Sequence, residues 1–255
     1  MINVIYIGGP TVIIDIFGVR FITDPTFDSA GTTYSLAGGK VILEKSQSPS
    51  TKDIGYIDYV LLSHDQHPDN LDTSGRVLLD KVSQVFTTRS GSMRLGGSAI
   101  GMDPWESRSI PLENGGSITI TATPARHGPA GVEKIAGDVI GFLLTIIDKV
   151  KYEIYITGDT VFFEGVSDVA KKHKPSLVFL FAGAARTRGP FNLTMSTNDA
   201  IDTAFSFPEA LIIPLHFEGW KHFTQNERDL ESAFEAIGIK ERLRFLKPGI
   251  SEVLR

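Results

Sequence analysis

Two histidines and several carboxylates share one short stretch of this chain, residues 63–72 (SHDQHPDNLD). The apolar segment before it, residues 57–62, has the composition of a buried strand. Neutral imidazoles and carboxylate oxygens are the ligands that zinc and similar divalent ions prefer in proteins. Without a cation, so many ionisable groups on one turn would repel one another or need water. The stretch therefore predicts metal ligands at the end of a strand.

Three other residues of the same chemical kind stand at the ends of predicted strands. His127, Asp159 and His216 each follow a short segment rich in β-branched or aromatic residues. Ligands of α/β folds collect outside the strand ends. A single histidine in such a place is commonly structural, but four strand ends of this kind favour one shared metal site.

The elements that must position these residues can also be predicted. Short β-branched segments, separated by Gly and Pro, alternate with helical periodicity, which predicts sheet packed on sheet with helices outside. Residues 28–52, rich in Ser, Gly and Thr, predict a long loop that could cover the site. His173, flanked by lysines, is predicted to face solvent. Helices are predicted over residues 71–82, 166–173, 197–205 and 227–237.

The composition limits the classes of function. The 255 residues carry a net charge of -5, with 25 basic and 30 acidic side chains, which argues against a nucleic-acid partner. Cysteine is absent, so disulfides, thiolate nucleophiles and Cys-ligated zinc are excluded. No apolar run approaches the roughly 18 residues of a membrane span. We therefore expect a cytoplasmic protein that acts without a membrane.

Taken in order, these segments resemble the metallo-β-lactamase-fold hydrolases, and most closely the branch that contains ascorbate-6-phosphate lactonase. The resemblance covers nearly the whole chain and implies an α/β fold, the αββα four-layer sandwich, in a single domain over residues 1–255. The matching segments are residues 11–15, 21–25, 63–70, 123–127, 155–160 and 214–217.

The resemblance also implies a set of metal ligands. One or two divalent ions are expected per chain, zinc first, with manganese, iron or nickel as alternatives. Asp69 is the candidate for proton transfer to the leaving group, with a role as ligand alone equally open. The implied ligands are His64, His67 and His127 for one ion, Asp69 and His216 for the other, and Asp159 between them.

The chain departs from the family pattern in three places. His64 and His67 are three residues apart where the signature has two, so either one residue is inserted or Asp65 takes the first ligand position. Asn70 stands where the signature ends in histidine, and an amide oxygen is a weaker zinc ligand. The early segment, residues 7–10 (IGGP), lacks a histidine that this branch often carries.

Other side chains are candidates for supporting roles. Asp65 and Asp72 could accept hydrogen bonds from the ligand imidazoles, although Asp72 could equally be a carboxylate at a helix N-terminus. Asn70 could also lie behind the ligands. Arg126 could hold an anionic group or be simply exposed, and His222 could face the substrate.

Residues further along the chain are less specific. Arg186 and Arg188 are predicted on a loop after a strand, where they could meet an anionic substrate. Trp220 and Phe223 are predicted to pack rather than bind.

These features predict a hydrolase that uses a metal-activated water on a small lactone, ester or amide, which could carry negative charge. One alternative is a phosphodiesterase or phospholipase-D-like hydrolase, because the same metal pair suits displacement at phosphorus. The other is a non-catalytic metal-binding or sensor protein, which the altered spacing and Asn70 suggest. The expected partner is a small molecule, and a homo-oligomer is compatible with the sequence.

Overall fold

Strands form where β-branched and aromatic residues are concentrated, as the composition of those segments predicts. The computed structural model describes residues 2–51, 53–113 and 115–254. The strands of the first part are β1 (Ile2–Gly8), β2 (Thr11–Ile16), β3 (Val19–Thr23), β4 (Thr33–Leu36), β5 (Val41–Glu44), β6 (Tyr59–Leu61), β7 (Gln84–Thr88) and β8 (Ala99–Met102).

The rest of the chain adds further strands, and helices separate many of them. Its strands are β9 (Ser107–Pro111), β10 (Ser117–Pro124), β11 (Ile140–Ile147), β12 (Lys151–Ile156), β13 (Leu177–Phe181), β14 (Leu211–Leu215) and β15 (Ser251–Leu254). The α-helices of the molecule are α1 (Thr73–Leu79), α2 (Arg89–Leu95), α3 (Glu133–Ala136), α4 (Glu164–Lys172), α5 (Thr197–Ser206) and α6 (Glu227–Ala236).

The strands form two large sheets of mixed direction. One sheet has seven strands in the order β15-β1-β2-β3-β6-β7-β8, and the other has six in the order β14-β13-β12-β11-β10-β9. In the first, β3 and β6 run parallel. In the second, β10 and β12 are both antiparallel to β11, and β12, β13 and β14 are parallel. The strands β10, β12 and β14 therefore end at the same edge.

The two sheets pack face to face around one apolar core, to which both contribute buried side chains such as Phe21 and Phe142. A second cluster packs α4, α5 and α6 against the outside of the six-stranded sheet, with Val166, Ala200 and Leu230 buried. A third packs α1 on the outside of the other sheet. The layers run helix, sheet, sheet, helix, so the predicted αββα sandwich is confirmed.

The region predicted as one long loop, residues 28–52, contains a hairpin, and the prediction is wrong there; Lys52 lies outside the described residues. Strands β4 and β5 pair antiparallel, with Thr33 opposite Glu44. The two strands lie largely at the surface, so their side chains lack the alternation of buried apolar residues that marks a strand in a sequence.

The start of the first helix and the exposure of His173 also differ from prediction. The first helix begins at Thr73 because the Asp72 side chain caps it, accepting a hydrogen bond from the Gly75 amide. His173 does not face solvent: its Nδ1 lies 3.0 Å from the Glu153 carboxylate and only 24% of its side chain is exposed. The Glu153 carboxylate belongs to β12, 20 residues earlier in the chain, so the lysines next to His173 do not indicate this contact.

The described helices include none that is both long and apolar enough to cross a membrane. That residues 1–255 form a single domain stays a prediction, and Met1, Lys52, Asn114 and Arg255 lie outside the described residues.

Candidate metal centre

Five strands deliver polar residues to one edge of the sandwich. From the seven-stranded sheet, Asp24 directly follows β3, and His64 lies three residues beyond β6. From the six-stranded sheet, His127, Asp159 and His216 follow β10, β12 and β14. The four strand ends predicted from the sequence therefore meet, and Asp24 adds a fifth that sequence reasoning missed.

Three buried histidines form the first cluster, which we call the imidazole triad: His64, His67 and His127. His67 Nδ1 lies 2.9 Å from His64 Nε2 and 3.1 Å from His127 Nε2. A proton on one of these nitrogens can make only one of the two short contacts a hydrogen bond. Three ring nitrogens this close together match the ligand set of a divalent ion.

The second cluster, which we call the carboxylate triad, consists of Asp69, Asp159 and His216. His216 Nε2 lies 3.3 Å from Asp159 Oδ1 and 3.5 Å from Asp69 Oδ2. Asp159 also connects the triads, because its Oδ2 lies 3.8 Å from His127 Nε2.

Several polar atoms of the carboxylate triad are buried without a hydrogen bond to any described residue. They are Asp69 Oδ1, both carboxylate oxygens of Asp159 and both ring nitrogens of His216. Burying such atoms unpaired is costly, so native structures rarely leave them without a partner. A cation held between them would satisfy the oxygens and His216 Nε2, so this donor set fits a divalent metal.

Hydrogen bonds behind the imidazole triad orient two of its rings. Asp24 accepts from the Ser63 amide at 2.6 Å and from the Ser63 hydroxyl at 2.7 Å. With its proton directed at Asp24, the hydroxyl accepts from His64 Nδ1 at 2.9 Å. His127 Nδ1 lies 2.9 Å from the Leu193 carbonyl, to which it donates. Both rings therefore present an Nε2 lone pair to the triad.

The environment keeps the imidazoles of His64 and His67 neutral. Burial and the neighbouring His67 hold the pKa of His64 well below its ordinary value. Burial lowers the pKa of His67 to about 4, and the neighbouring His127 and Arg188 add to the shift. Neutral imidazole is the form that binds metal.

The carboxylate triad has the opposite electrostatic character. Burial alone would raise the pKa of Asp69, but the neighbouring His222 and His216 outweigh burial and hold that pKa well below the usual range. Burial alone would lower the pKa of His216, but the Asp159 and Asp69 carboxylates outweigh burial and raise that pKa to about 10. Two buried carboxylates thus require positive charge beside them, which a proton on His216 or a metal ion can supply.

Strained backbone surrounds the centre. His216, Ala184 and Asp24 have φ values of 55°, 48° and 27°, which non-glycine residues rarely adopt. The His216 amide donates to the Gly9 carbonyl at 2.8 Å. A Cβ at Gly183 would lie 2.4 Å from the His216 carbonyl. Such strain concentrates at functional sites, where the surrounding structure enforces it.

His222 lies against the carboxylate triad. Its Nε2 is 2.9 Å from Asp69 Oδ2, and only 8% of its side chain is exposed. The ring also packs against Phe223, with centroids 4.6 Å apart. The sequence suggested a residue facing substrate, whereas the structure makes it the hydrogen-bond partner of a candidate ligand.

The carboxylates Asp65 and Asp72 do not support the imidazoles, so that prediction is wrong. Both oxygens of Asp65 contact the Arg94 guanidinium, which turns them away from the triads. The structure therefore places His64, not Asp65, in the imidazole triad. Asp72 caps α1 and pairs with the buried Lys45 at 3.0 Å, so its alternative role at a helix N-terminus is the one observed.

Asn70 and Arg126 also have partners outside the triads. The Asn70 amide donates to Asp24 Oδ2 at 3.1 Å, which places this side chain behind the ligands. Burial raises the pKa of Asp24 to about 7, while its bonds from Ser63 and Asn70 oppose that rise. The Arg126 guanidinium lies 4.7 Å over the Phe163 ring and its Nε donates to the Gly128 carbonyl.

The segment that lacks a histidine, residues 7–10, reaches the site through its backbone. Gly9 supplies the carbonyl that receives the His216 amide, and its φ of 57° suits glycine. A Cβ at Gly9 would lie 3.6 Å from the Trp220 indole nitrogen. Trp220 itself is 3% exposed and packs, as predicted.

The fold and the site together define a class. A model of the family described as "Beta-lactamase superfamily domain" matches residues 19–217, and the chain belongs to that family. The predicted enzyme class, a metal-dependent hydrolase with the metallo-β-lactamase fold, is confirmed at the level of the family.

One relative in sequence and one solved structure show the likeness in more detail. A protein of Pelotomaculum thermopropionicum named UPF0173 metal-dependent hydrolase is 28% identical over 76% of this chain and 81% of its own. The crystal structure of an isothiocyanate hydrolase from Delia radicum gut bacteria superposes with a TM-score of 0.84 over 99% of this chain and 98% of that one. At 20% identity the latter likeness concerns the fold alone.

A relative that matches over a shorter stretch is named for a reaction like the alternative function. The N-acyl-phosphatidylethanolamine-hydrolyzing phospholipase D 1 of Caenorhabditis elegans is 29% identical over 48% of this chain and 36% of its own length. The ascorbate-6-phosphate lactonase branch, suggested by the sequence, stays a prediction.

Proposed function

We propose that this chain hydrolyses a small lactone, ester or amide, which could carry negative charge, with the help of divalent metal. The observation that carries the proposal is the pair of adjoining buried triads, which Asp159 connects through its contact with His127. One triad offers three buried imidazoles, and the other offers three carboxylate oxygens that have no hydrogen bond to a described residue, so together they can hold two cations with different ligand sets.

In this proposal the imidazole triad holds one ion, Asp69 and His216 hold the other, and Asp159 lies between. Zinc is the first candidate because imidazole predominates, with manganese, iron and nickel as alternatives. When bound, such a cation lowers the pKa of water and polarises a carbonyl or phosphoryl oxygen.

The chain's own groups orient and move protons. Ser63 and the Leu193 carbonyl fix two imidazoles in the tautomer that faces the centre. Asp69 Oδ1 could contact the metal while Oδ2 accepts a hydrogen bond from His222 Nε2. The ionised Asp69 carboxylate could take up the proton of the attacking water and pass it to the leaving group, which is the catalytic role proposed for Asp69.

His127→Ala tests this function. The variant removes one ligand of the imidazole triad, so we expect kcat/KM for a panel of lactones, esters and amides to fall by about 100-fold or more. His173→Ala is the matched control, because that histidine pairs with Glu153 instead. Equal activity in His127→Ala and the wild type would contradict the proposal.

A second candidate is phosphodiester hydrolysis, favoured by the partial match to the phospholipase D relative. Turnover of bis(p-nitrophenyl) phosphate, compared with that of a lactone by the same preparation, separates the two. A protein that binds zinc, manganese or iron and turns over neither substrate would be the non-catalytic metal-binding protein. Cytoplasmic location and homo-oligomer formation stay predictions.

A further inference from the structure

An apolar cluster lies beside the candidate metal centre and is not part of its ligand set. Ala136, Ala185 and Leu193 are its buried members. Packed on them are three half-buried side chains, which we call the apolar wall: Val132, Phe191 and Phe223. These side chains are partly exposed, and they pack on the same cluster as Leu193, whose carbonyl accepts from His127 Nδ1.

The apolar wall is continuous with both triads. The Phe223 ring centroid lies 4.7 Å from that of His216, at 75°. On the other side, a Cβ at Gly128, next to His127, would lie 2.8 Å from the Val132 side chain and 3.0 Å from that of Leu193. A molecule held at the triads therefore has this wall as its immediate neighbour.

Arg188 supplies a positive charge at the rim of the wall. The adjoining Gly189 packs so closely on Phe191 that an added Cβ would lie 2.8 Å from the ring. Arg188 is half-buried, whereas Arg186 is exposed. Arg186, two residues earlier, differs because its Nε donates to Asn192 Oδ1 at 2.7 Å on the exposed side of the loop.

We propose that the apolar wall and Arg188 form the substrate-binding surface, and that the substrate is a small organic anion with an aromatic or other apolar substituent. The inference rests on the proposed hydrolase function for the reaction, but the binding surface itself can be tested separately. Burying an apolar group against the half-exposed rings favours binding, and Arg188 adds attraction for the anionic end.

The experiment measures the binding of three probes to the zinc-loaded protein by calorimetry. Phenylacetate has both the ring and the charge, acetate has only the charge, and benzyl alcohol has only the ring. Both carboxylates can contact zinc in the same way, so the ratio of their affinities isolates the wall. The variants are Phe191→Ala and Arg188→Gln, with Phe205→Ala and Arg186→Gln as controls; Phe205 is 60% exposed on α5.

We expect phenylacetate to bind about tenfold more tightly than acetate, the gain from burying much of one ring. Phe191→Ala should remove most of that ratio and leave acetate unchanged. Arg188→Gln should weaken both carboxylates by about fivefold and leave benzyl alcohol unchanged. Val132→Thr, which nearly conserves volume, provides a second test of the wall if Phe191→Ala does not fold.

Equal affinities for phenylacetate and acetate would overturn the proposal, as would equal effects of Arg188→Gln and Arg186→Gln. Because binding is measured without turnover, the expected pattern in a protein that hydrolyses nothing would support the binding surface and contradict only the hydrolase function.

Discussion

Three of the six ligand candidates of the metal centre, His64, His127 and Asp69, have a neighbour that fixes their orientation. Ser63 directs His64, the Leu193 carbonyl directs His127, and His222 holds one oxygen of Asp69. Loss of such partners typically costs 10–100-fold in metal affinity or activity. Substituting a side chain that contacts a ligand should therefore lower metal affinity or activity measurably, as substituting the ligand itself should.

We predict that His222→Ala weakens zinc binding at the carboxylate triad by about tenfold, because Asp69 loses the donor that orients it. His222→Gln keeps an N–H donor and should lose less. The measurement is a calorimetric zinc titration of metal-stripped protein, with His173→Gln as the control at a remote histidine. Wild-type zinc affinity in His222→Ala would show that Asp69 needs no such partner.

Single residues differ in how well the sequence predicts their roles. That His67, Asp159 and His216 lie together could be predicted, because imidazole and carboxylate groups at strand ends are typical of one shared site; their role as metal ligands stays a prediction. Asp24 carries the same signal after β3, but the Asp-Pro pair that it forms with the next residue indicates only the end of a strand. The partners of Asp65 and Asp72 could not be predicted, because Arg94 and Lys45 reach them only through the fold.

At the scale of elements, a buried ion pair connects the hairpin of β4 and β5 to the segment that carries Asp69. Lys45 directly follows β5 and pairs with Asp72 at the start of α1, three residues after Asp69. Lys45 also lies over the Trp220 ring, 5.4 Å from its centroid. The hairpin thus contacts both segments that carry the Asp69–His222 pair.

We predict that Lys45→Met lowers the free energy of unfolding by about 3 kcal/mol, because it leaves the Asp72 carboxylate buried without its cation. Lys221→Met removes another lysine paired with the hairpin, but that side chain is 61% exposed against 4% for Lys45. Its loss should cost less than about 1 kcal/mol. Urea denaturation measures both, and equal costs would contradict the importance assigned to the buried pair.

Elements with strong local signals were predictable and those without were not. The boundaries of β3, β13 and β14 match the segments 19–23, 177–181 and 211–215 that alternate or run apolar in the sequence. Helix α2 and strand β8 carry no comparable pattern. Strand β15 pairs with β1, which lies at the opposite end of the chain, and Ile2 is opposite Leu254. The residues of neither segment indicate which other segment it pairs with.

At the scale of the whole molecule, the sandwich explains why ligands so distant in sequence can meet. The seven-stranded sheet contributes His64, His67 and Asp69, and the six-stranded sheet contributes His127, Asp159 and His216. Each triad therefore contains residues from both sheets. A shift of one sheet against the other would separate both triads, so the apolar core between the sheets also maintains the metal centre.

The central claim is that the two triads hold divalent cations. Crystals of the zinc-loaded protein, measured with X-rays on both sides of the zinc absorption edge, test it most directly. We expect one anomalous peak within the imidazole triad and a second within the carboxylate triad, about 3.5–4 Å apart with Asp159 touching both. Zinc peaks elsewhere on the protein, with none at either triad, would contradict the account.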